Sequence, residues 1–327
     1  MALEYSDNMP HDEDDASDAS SDVTELDAND FPDHFSEREG RLFHSHGSLP
    51  YPLPVDSPEQ ARLNNLHRIL RDIVELHYLG PVAEVLCDVR GRQKRVLDLC
   101  TGTGSWPMDM ARLFPGVKIY GLDIVPIATR RPERHVQFEI HDVTRRSRWN
   151  DGAMDFVHAR SIDLAVTDYP KLLQEAARLL RPGGLFFSGE IGRYVDFAHG
   201  FSSDPAHQAP RAQRFFQVVN HSLQLRHLAP IADKIPSFIQ LSRQFTVPTI
   251  QTFHIPIGDW HPNTVMRRIG KMYLNALKDF AESLKPMLRE TGMTQHDIDN
   301  YVNGFIHDIE HVRGLVGVYH TAWARKL

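Results

Sequence analysis

The chain contains little cysteine and no long apolar run. Its 327 residues include two cysteines, Cys87 and Cys100, which are too few for a disulfide framework, so we expect a reducing compartment. Their spacing fits no metal-ligand pattern, and we expect no metal site. No apolar run approaches the roughly 18 residues that cross a bilayer, and the acidic N-terminus lacks the basic and apolar regions of a signal peptide. These absences argue against a secreted or membrane protein and favour the cytoplasm.

Lysine and arginine are absent from the first 34 positions, which hold twelve acids. This segment explains the formal net charge of −7, because 31 acids and 36 basic residues remain in the rest of the chain. Charge of one sign with few apolar residues predicts a disordered tail over residues 1–45. Docking of this tail onto a basic protein partner is the alternative. The rest of the chain is not basic enough to predict binding of nucleic acid.

Short apolar runs alternate with helical segments in the middle of the chain. Strands are predicted at 95–99, 117–123, 136–140, 154–159, 185–191, 249–258 and 317–326. A helix is predicted over 106–114, and another is expected to stop at Pro182-Gly183-Gly184. This alternation predicts an α/β fold whose mostly parallel sheet is covered on both faces.

Helical segments are also predicted on either side of that sheet. Ser57 as N-cap, Pro58 at the first helical position and Gln60 in a capping box mark the start of an N-terminal helix. Its apolar residues recur at helical spacing over 63–73. Helices are also expected within 193–249 and 263–313, the last of them capped by Thr294 and Asp297.

A glycine turn follows the first strand of the alternating region, in "VLDLCTGTGSW" at 96–106. Gly102 and Gly104 allow close approach of a ligand, and the following helix directs free N–H groups towards it. A dinucleotide site needs a third glycine where Pro107 stands. An acid before the turn, Asp98, suits a cationic ligand better than a pyrophosphate. S-adenosylmethionine (SAM), which carries an ammonium and a sulfonium, fits this pattern.

The stretch resembles motif I of the class I SAM-dependent methyltransferases. In that resemblance Asp98 opens the motif, Cys100 replaces its first glycine, and Thr101 precedes the two remaining glycines, Gly102 and Gly104. The family implies a Rossmann-like, seven-stranded, mostly parallel sheet. Because cysteine is costly at positive φ, we expect a non-positive φ at Cys100 and a thiol that contacts cofactor or lid. A left-handed Cys100 would instead favour a protein that only binds, or a ligand other than SAM.

Acids at the ends of the next two strands extend the resemblance. Asp123 stands where an acid accepts the ribose hydroxyls, and Ile124 would flank the adenine. In the family, the acid at Asp142 accepts from the adenine amino group, and Val143 offers its backbone N–H.

Two further stretches, "YPLPVDSPEQARLNNLHRILRDIVELHYLGPV" and "FHIPIGDW", resemble the fungal LaeA-like methyltransferases. The likeness implies a methyltransferase domain over 46–327, with a core at 90–192 and substrate-side elements at 50–82 and 193–314. It also implies a lid over the cofactor formed by 56–80, including Tyr78. The departures from the family are Cys100 and the long 195–248 insertion.

Candidate catalytic residues are those near the ends of the fourth and fifth strands, His158, Arg160 and Glu190. A base within hydrogen-bond reach of the acceptor would assist methyl transfer. Each has a structural alternative: a buried core histidine for His158, an ion pair that fixes a loop for Arg160, and a side chain facing away from the methyl group for Glu190.

The sequence thus predicts a SAM-dependent methyltransferase whose acceptor is a small secondary metabolite. The main alternative is a nuclear regulator of the LaeA type, which acts through protein partners or protein methylation. A protein that only binds SAM and a nicotinamide-dependent dehydrogenase are the weaker alternatives, the latter disfavoured by Pro107 and Asp98.

Overall fold

The computed structural model describes residues 24–27, 29–201 and 204–327. Most of the predicted acidic tail, residues 1–23, lies outside this part of the chain.

The expectation that ordered structure begins near residue 45 is wrong. A 3-10 turn (Phe31–His34) precedes a β-hairpin made of β1 (Phe35–Arg38) and β2 (Arg41–His44). Phe43 is buried, and the Arg41 guanidinium donates to the Asp56 carboxylate over 3.0 Å, so the hairpin is attached to the domain.

Eight strands form one mixed sheet in the order β5-β4-β3-β6-β7-β10-β8, with β9 also paired to β10. The strands are β3 (Arg95–Leu99), β4 (Lys118–Asp123), β5 (Val136–Ile140), β6 (Met154–Arg160), β7 (Leu180–Ile191), β8 (Asp196–Phe197), β9 (Thr249–Pro256) and β10 (Leu315–Arg325). The first five are parallel, and β10 runs antiparallel to its three neighbours. The two-residue β8 is additional to the seven strands expected.

The predicted Pro-Gly-Gly helix stop is wrong. The helix ends at Leu179, and Leu180 is already extended (φ −76°, ψ 133°). Residues 180–184 belong to β7, whose pairing with β6 jumps from Met154↔Leu180 to Phe156↔Leu185. The extra residues fit because the pairing is irregular there and Gly183 adopts a φ of +76°.

Ten helices are found in the described residues. They are α1 (Ser57–Val74), α2 (Val82–Val85), α3 (Ser105–Leu113), α4 (Tyr169–Leu179), α5 (Pro205–Gln208), α6 (Pro210–Gln224), α7 (Ile235–Ser242), α8 (Thr264–Ser283), α9 (Lys285–Glu290) and α10 (Gln295–His311). In that part of the chain, none is both long and apolar enough to span a membrane.

The caps of two helices test the sequence rules. Asp56, not Ser57, is the N-cap of α1, because Asp56 has extended backbone and its carboxylate accepts from the Glu59 N–H. The cap at the start of α10 is confirmed, since the Thr294 hydroxyl accepts from the Asp297 N–H over 3.1 Å.

Some of the helices form a layer of their own beside the sheet. Helix α1 packs against α8 and reaches α3, so it joins a helical layer to the sheet. That helical layer, which includes α6, α8, α9 and α10, shares one apolar core with part of α1 and of β10. The carboxyl ends of β3, β4 and β6 therefore face α1, and this is where the candidate site lies.

Candidate functional site

The glycine turn that joins β3 to α3 is held by three hydrogen bonds from its own backbone N–H groups. The Thr101 N–H donates to the Leu122 carbonyl over 2.8 Å, and the Gly102 N–H donates to Asp123 Oδ2 over 2.7 Å. The Gly104 N–H returns to the Thr101 carbonyl over 3.1 Å. Within this turn Cys100 has a φ of +54°, so the expectation of a non-positive φ is wrong. Its side chain is packed partly against the sheet core.

The two glycines of the turn serve different purposes. At Gly102 (φ +56°) an added Cβ would meet only Leu63 Cδ1, at an ordinary 3.7 Å, so the space above it is open. At Gly104 (φ +76°) an added Cβ would lie 2.5 Å from Phe138 Cζ. The approach of a phenyl ring thus gives Gly104 a structural reason to be glycine, and its predicted contact with a ligand stays a prediction.

A cavity at the carboxyl ends of β3, β4 and β5 brings together eight of the nine predicted cofactor residues. Gly104 lies outside its lining. The lining includes Asp98, Cys100, Thr101, Gly102, Asp123, Ile124, Asp142 and Val143. Three of these side chains are carboxylates, whereas Arg160 is the one arginine or lysine among the described lining residues. This acidic surface suits a ligand with an ammonium and a sulfonium and disfavours a pyrophosphate.

A contact with the His158 ring fixes the position of the Asp98 carboxylate. His158 Nδ1 lies 2.6 Å from Asp98 Oδ1, and the Thr101 hydroxyl donates to Asp98 Oδ2 over 2.7 Å. The imidazole is stacked on Trp106, with ring centroids 3.6 Å apart, and on Phe187 at 5.1 Å. Burial lowers the pKa of His158 to about 4, although Asp98 opposes the shift. A neutral ring bonded in this way carries its proton on Nδ1, so His158 positions Asp98 and is a weak base.

Asp123 accepts three backbone N–H groups, from Gly102, Ile124 and Val125. Burial nevertheless raises the pKa of its carboxyl to about 6. Two of these bonds reach Oδ1 and one reaches Oδ2, so Oδ2 keeps an acceptor position for a ribose hydroxyl. The residues of the turn therefore fit SAM, which Asp123 would hold by its ribose and Asp98 by its aminoacyl end.

Asp142 lies on the adenine side of the cavity in the predicted arrangement. Its Oδ1 accepts from the Thr144 N–H over 2.9 Å and from the Thr144 hydroxyl over 2.6 Å. Although burial opposes the change, these bonds and the Arg145 guanidinium lower the pKa of Asp142. The side chain is thus an ionised acceptor at neutral pH, as the prediction for the adenine amino group requires.

Helix α1 covers the turn, as the lid prediction requires, but through residues that the sequence analysis did not name. Asn64 Oδ1 accepts from the Thr103 hydroxyl over 2.6 Å and from the Ser105 hydroxyl over 2.8 Å. Leu63 and Leu66 line the cavity, while Tyr78 lies in a separate small cavity near Phe114. The apolar face at helical spacing over 63–73 was the available signal for these residues, because such a face can line a ligand cavity as well as pack into the core.

The segment before α1 also reaches the cavity, although the sequence analysis assigned none of its residues to the cofactor site. His46 Nε2 lies 3.0 Å from the Ile124 carbonyl, and Leu49, Tyr51 and Val55 contribute to the lining.

Arg160 belongs to a chain of polar contacts. Its Nη2 donates to His67 Nδ1 over 2.8 Å, which places the His67 proton on Nε2, 3.0 Å from Asp109 Oδ2. Burial lowers the pKa of His67, so the ring is neutral. Arg160 thus lines the cavity and also joins β6 to α1 and α3.

Glu190 lies away from the cofactor cavity. It lines a second cavity, together with Arg193 and residues of α1, α6 and α8. The two cavities adjoin, since Tyr51, Leu63, Leu66 and Ser161 line both.

Comparison with known proteins identifies the family of the chain. A methyltransferase domain family model matches residues 66–239, more than half of the chain. The methyltransferase pytC of Aspergillus terreus is 27% identical over 257 residues, covering 76% of this chain and 75% of its own. The secondary metabolism regulator laeA of Coprinopsis cinerea is 35% identical over 150 residues, which cover 46% of this chain and 37% of that relative.

Among solved structures, a geranyl diphosphate methyltransferase in complex with SAM is 16% identical, with a TM-score of 0.46, over 86% of this chain and 95% of that one. Because that score is low, the fold rests on the strand order above and on the family match. The chain belongs to the methyltransferase domain family and is a LaeA-like, class I, SAM-dependent methyltransferase.

Proposed function

We propose that the methyl acceptor of this protein is a small metabolite bound in the second cavity. The observation that carries the proposal is the position of that cavity, which shares one wall with the cofactor site and is surrounded by α1, β7, α6 and α8. Bound SAM supplies a methyl group on a sulfonium, which an acceptor must approach in line, with water excluded. A cavity of about 110 Å³ beside one of about 130 Å³ gives an acceptor and SAM adjoining places to bind.

The walls of the second cavity support an apolar acceptor. They include Leu164, Phe216, Tyr273, Leu277 and Phe280, and most small-molecule sites have such walls with a few polar groups. Glu190 and Arg193 supply the polar groups. We place the catalytic unit in one domain, from the hairpin at residue 35 to the C-terminus.

A nuclear regulator that acts through protein partners is the second candidate. It is favoured by the curated relatives whose names describe secondary metabolism regulators. We assign any protein contact of this kind to the acidic N-terminal segment, because it is the part of the chain with charge of one sign.

Incubation with SAM labelled in its methyl group separates the two candidates. The purified protein is given a fungal small-molecule extract or a fungal nuclear protein fraction, and the label is located by chromatography. We expect label in small molecules, and label in protein alone would overturn the proposal.

A variant that fills the second cavity provides the control. Ala276, on α8, lines that cavity and not the cofactor cavity. Ala276→Met should abolish transfer to the metabolite while calorimetry shows unchanged SAM binding. Full transfer by this variant would show that the acceptor binds elsewhere.

A further inference from the structure

The second cavity is flanked by two buried arginines with different surroundings. Arg62, on α1, makes three hydrogen bonds to the Glu59 carboxylate, at 2.5 to 3.0 Å. Arg193, which follows β7, has no hydrogen-bond acceptor for Nε, Nη1 or Nη2 within the described part of the chain. Its side chain is nevertheless only 7% exposed. One arginine of the cavity is therefore hydrogen-bonded to a carboxylate and the other is not.

The nearest anion to Arg193 leaves most of its donors unused. Asp163 Oδ2 lies 3.4 Å from Arg193 Nε, which is close enough for an ion pair but lacks hydrogen-bond geometry. A guanidinium has five N–H donors in a planar fork. Buried polar groups in native proteins are almost always paired, and an orphan requires an explanation such as an absent ligand.

Glu190 adds a second unpaired atom to the same cavity. Its Oε1 accepts from the Ile162 N–H over 2.8 Å, but Oε2 is buried and has no partner among the described residues. Burial, and then the neighbouring Asp163 carboxylate, raise the pKa of Glu190 well above its usual range. A neutral Glu190 has one donor, on Oε2, because Oε1 already accepts, and it can give this donor to the Asp163 carboxylate or to a ligand. Arg193 and Glu190 thus place two incompletely paired polar groups in one cavity.

We propose that Arg193 and Glu190 bind the carboxylate of an organic acid with an apolar skeleton, and that this acid is the acceptor of the reaction. Planar oxyanions match the guanidinium fork, with two parallel N–H···O bonds. Glu190 supplies a third donor, and the apolar walls accommodate the skeleton. The assignment of the acid as acceptor rests on the proposed function, whereas the carboxylate site rests on the buried, unpaired guanidinium of Arg193 and the cavity that it lines.

Two probes that differ in one group test the carboxylate site. Benzoate and benzyl alcohol share a ring and differ in charge. Each is titrated by calorimetry into the full chain saturated with S-adenosylhomocysteine, so that the cofactor cavity is filled. We expect benzoate to bind at least tenfold more tightly than benzyl alcohol. Equal affinities, or no benzoate binding at 10 mM (on the order of the weakest useful affinities), would overturn the proposal.

Substitutions locate the site. Arg193→Met should remove the preference for benzoate, while Arg68→Met, at an exposed arginine of α1 outside both cavities, should retain it. Glu190→Gln keeps a neutral donor, so its affinity for benzoate should be within threefold of that of the unsubstituted protein. An unchanged benzoate preference in Arg193→Met refutes the assignment.

One measurement needs no substitution and covers the case in which Arg193→Met does not fold. Benzoate should raise the melting temperature of the unsubstituted, cofactor-saturated protein more than benzyl alcohol does, and equal shifts would contradict the site. Failure of the proposed function is distinguishable, because it appears as label in protein alone, whatever the result with benzoate.

Discussion

Alanine substitutions at Gly102 and Gly104 should separate stability from cofactor binding. At Gly104 a Cβ would meet Phe138 Cζ at 2.5 Å with φ at +76°. The left-handed conformation costs about 1–2 kcal/mol and overpacking costs about 1–3 kcal/mol, while the reduced freedom of the unfolded chain offsets about 0.4–1 kcal/mol. We therefore expect Gly104→Ala to lower the free energy of unfolding by about 3 kcal/mol and to leave SAM affinity nearly unchanged in the molecules that fold.

The Gly102→Ala variant should behave in the opposite way. Its φ of +56° carries the same conformational cost, but the new methyl group has only an ordinary contact with Leu63. After the unfolded-state offset, the free energy of unfolding should fall by only about 1 kcal/mol. The methyl group would occupy the cradle that receives SAM, so the affinity for SAM should fall at least about tenfold, or about 1.4 kcal/mol.

Urea unfolding and calorimetric titration with SAM, done on both purified variants, measure the two effects. The reasoning would be refuted if Gly104→Ala lost SAM affinity as strongly as Gly102→Ala while its free energy of unfolding stayed unchanged.

Three further outcomes are expected. With iodoacetamide at pH 8, exposed Cys87 should be alkylated well before Cys100, because burial raises the pKa of the Cys100 thiol; mass spectrometry that finds equal labelling would contradict this. Burial raises the pKa of the Asp123 carboxyl to about 6, and only the ionised carboxylate accepts from ribose. SAM affinity should therefore be constant above pH 7 and fall below pH 6. The Asp123→Asn variant should bind SAM weakly at every pH, without this fall. His158→Phe should keep the ring stack but leave Asp98 Oδ1 buried without the hydrogen bond from His158. We expect the free energy of unfolding, measured by urea denaturation, to fall by about 1–3 kcal/mol. An unchanged free energy of unfolding would mean that the His158–Asp98 pair contributes nothing to stability.

The central sheet was readable because each strand is a short apolar run bounded by turn residues. β3 and β5 match their predicted bounds, and β4, β6, β9 and β10 differ by one or two residues at either end. The beginning of β7 could not be read, because Pro182, Gly183 and Gly184 favour a helix stop in isolation. Only the irregular pairing with β6 makes room for them in a strand.

The strand-end residues that meet at the first cavity were also readable, because they follow successive strands at fixed spacing. The role of Gly104 was not, since the ring that excludes a side chain there belongs to Phe138, on another strand. Arg193 lies in no motif, and it meets Glu190 and Asp163 only because β7 and the loop after β6 converge at the second cavity. Such side chains are brought together by tertiary structure, which local sequence patterns do not encode.

The left-handed Cys100 was expected to favour a protein that only binds or a ligand other than SAM, and its surroundings show that this conformation does not require a different ligand. A non-glycine residue at this φ costs about 1–2 kcal/mol. The turn around it is closed by bonds from Thr101 N–H, Thr101 Oγ1 and Gly102 N–H, each of which contributes about 0.5–1.5 kcal/mol. Together these bonds are large enough to offset the strain, so the turn can hold Cys100 in this conformation. The thiol packs partly against the sheet core and leaves the cavity above Gly102 open, so the substitution of glycine by cysteine is compatible with binding of SAM.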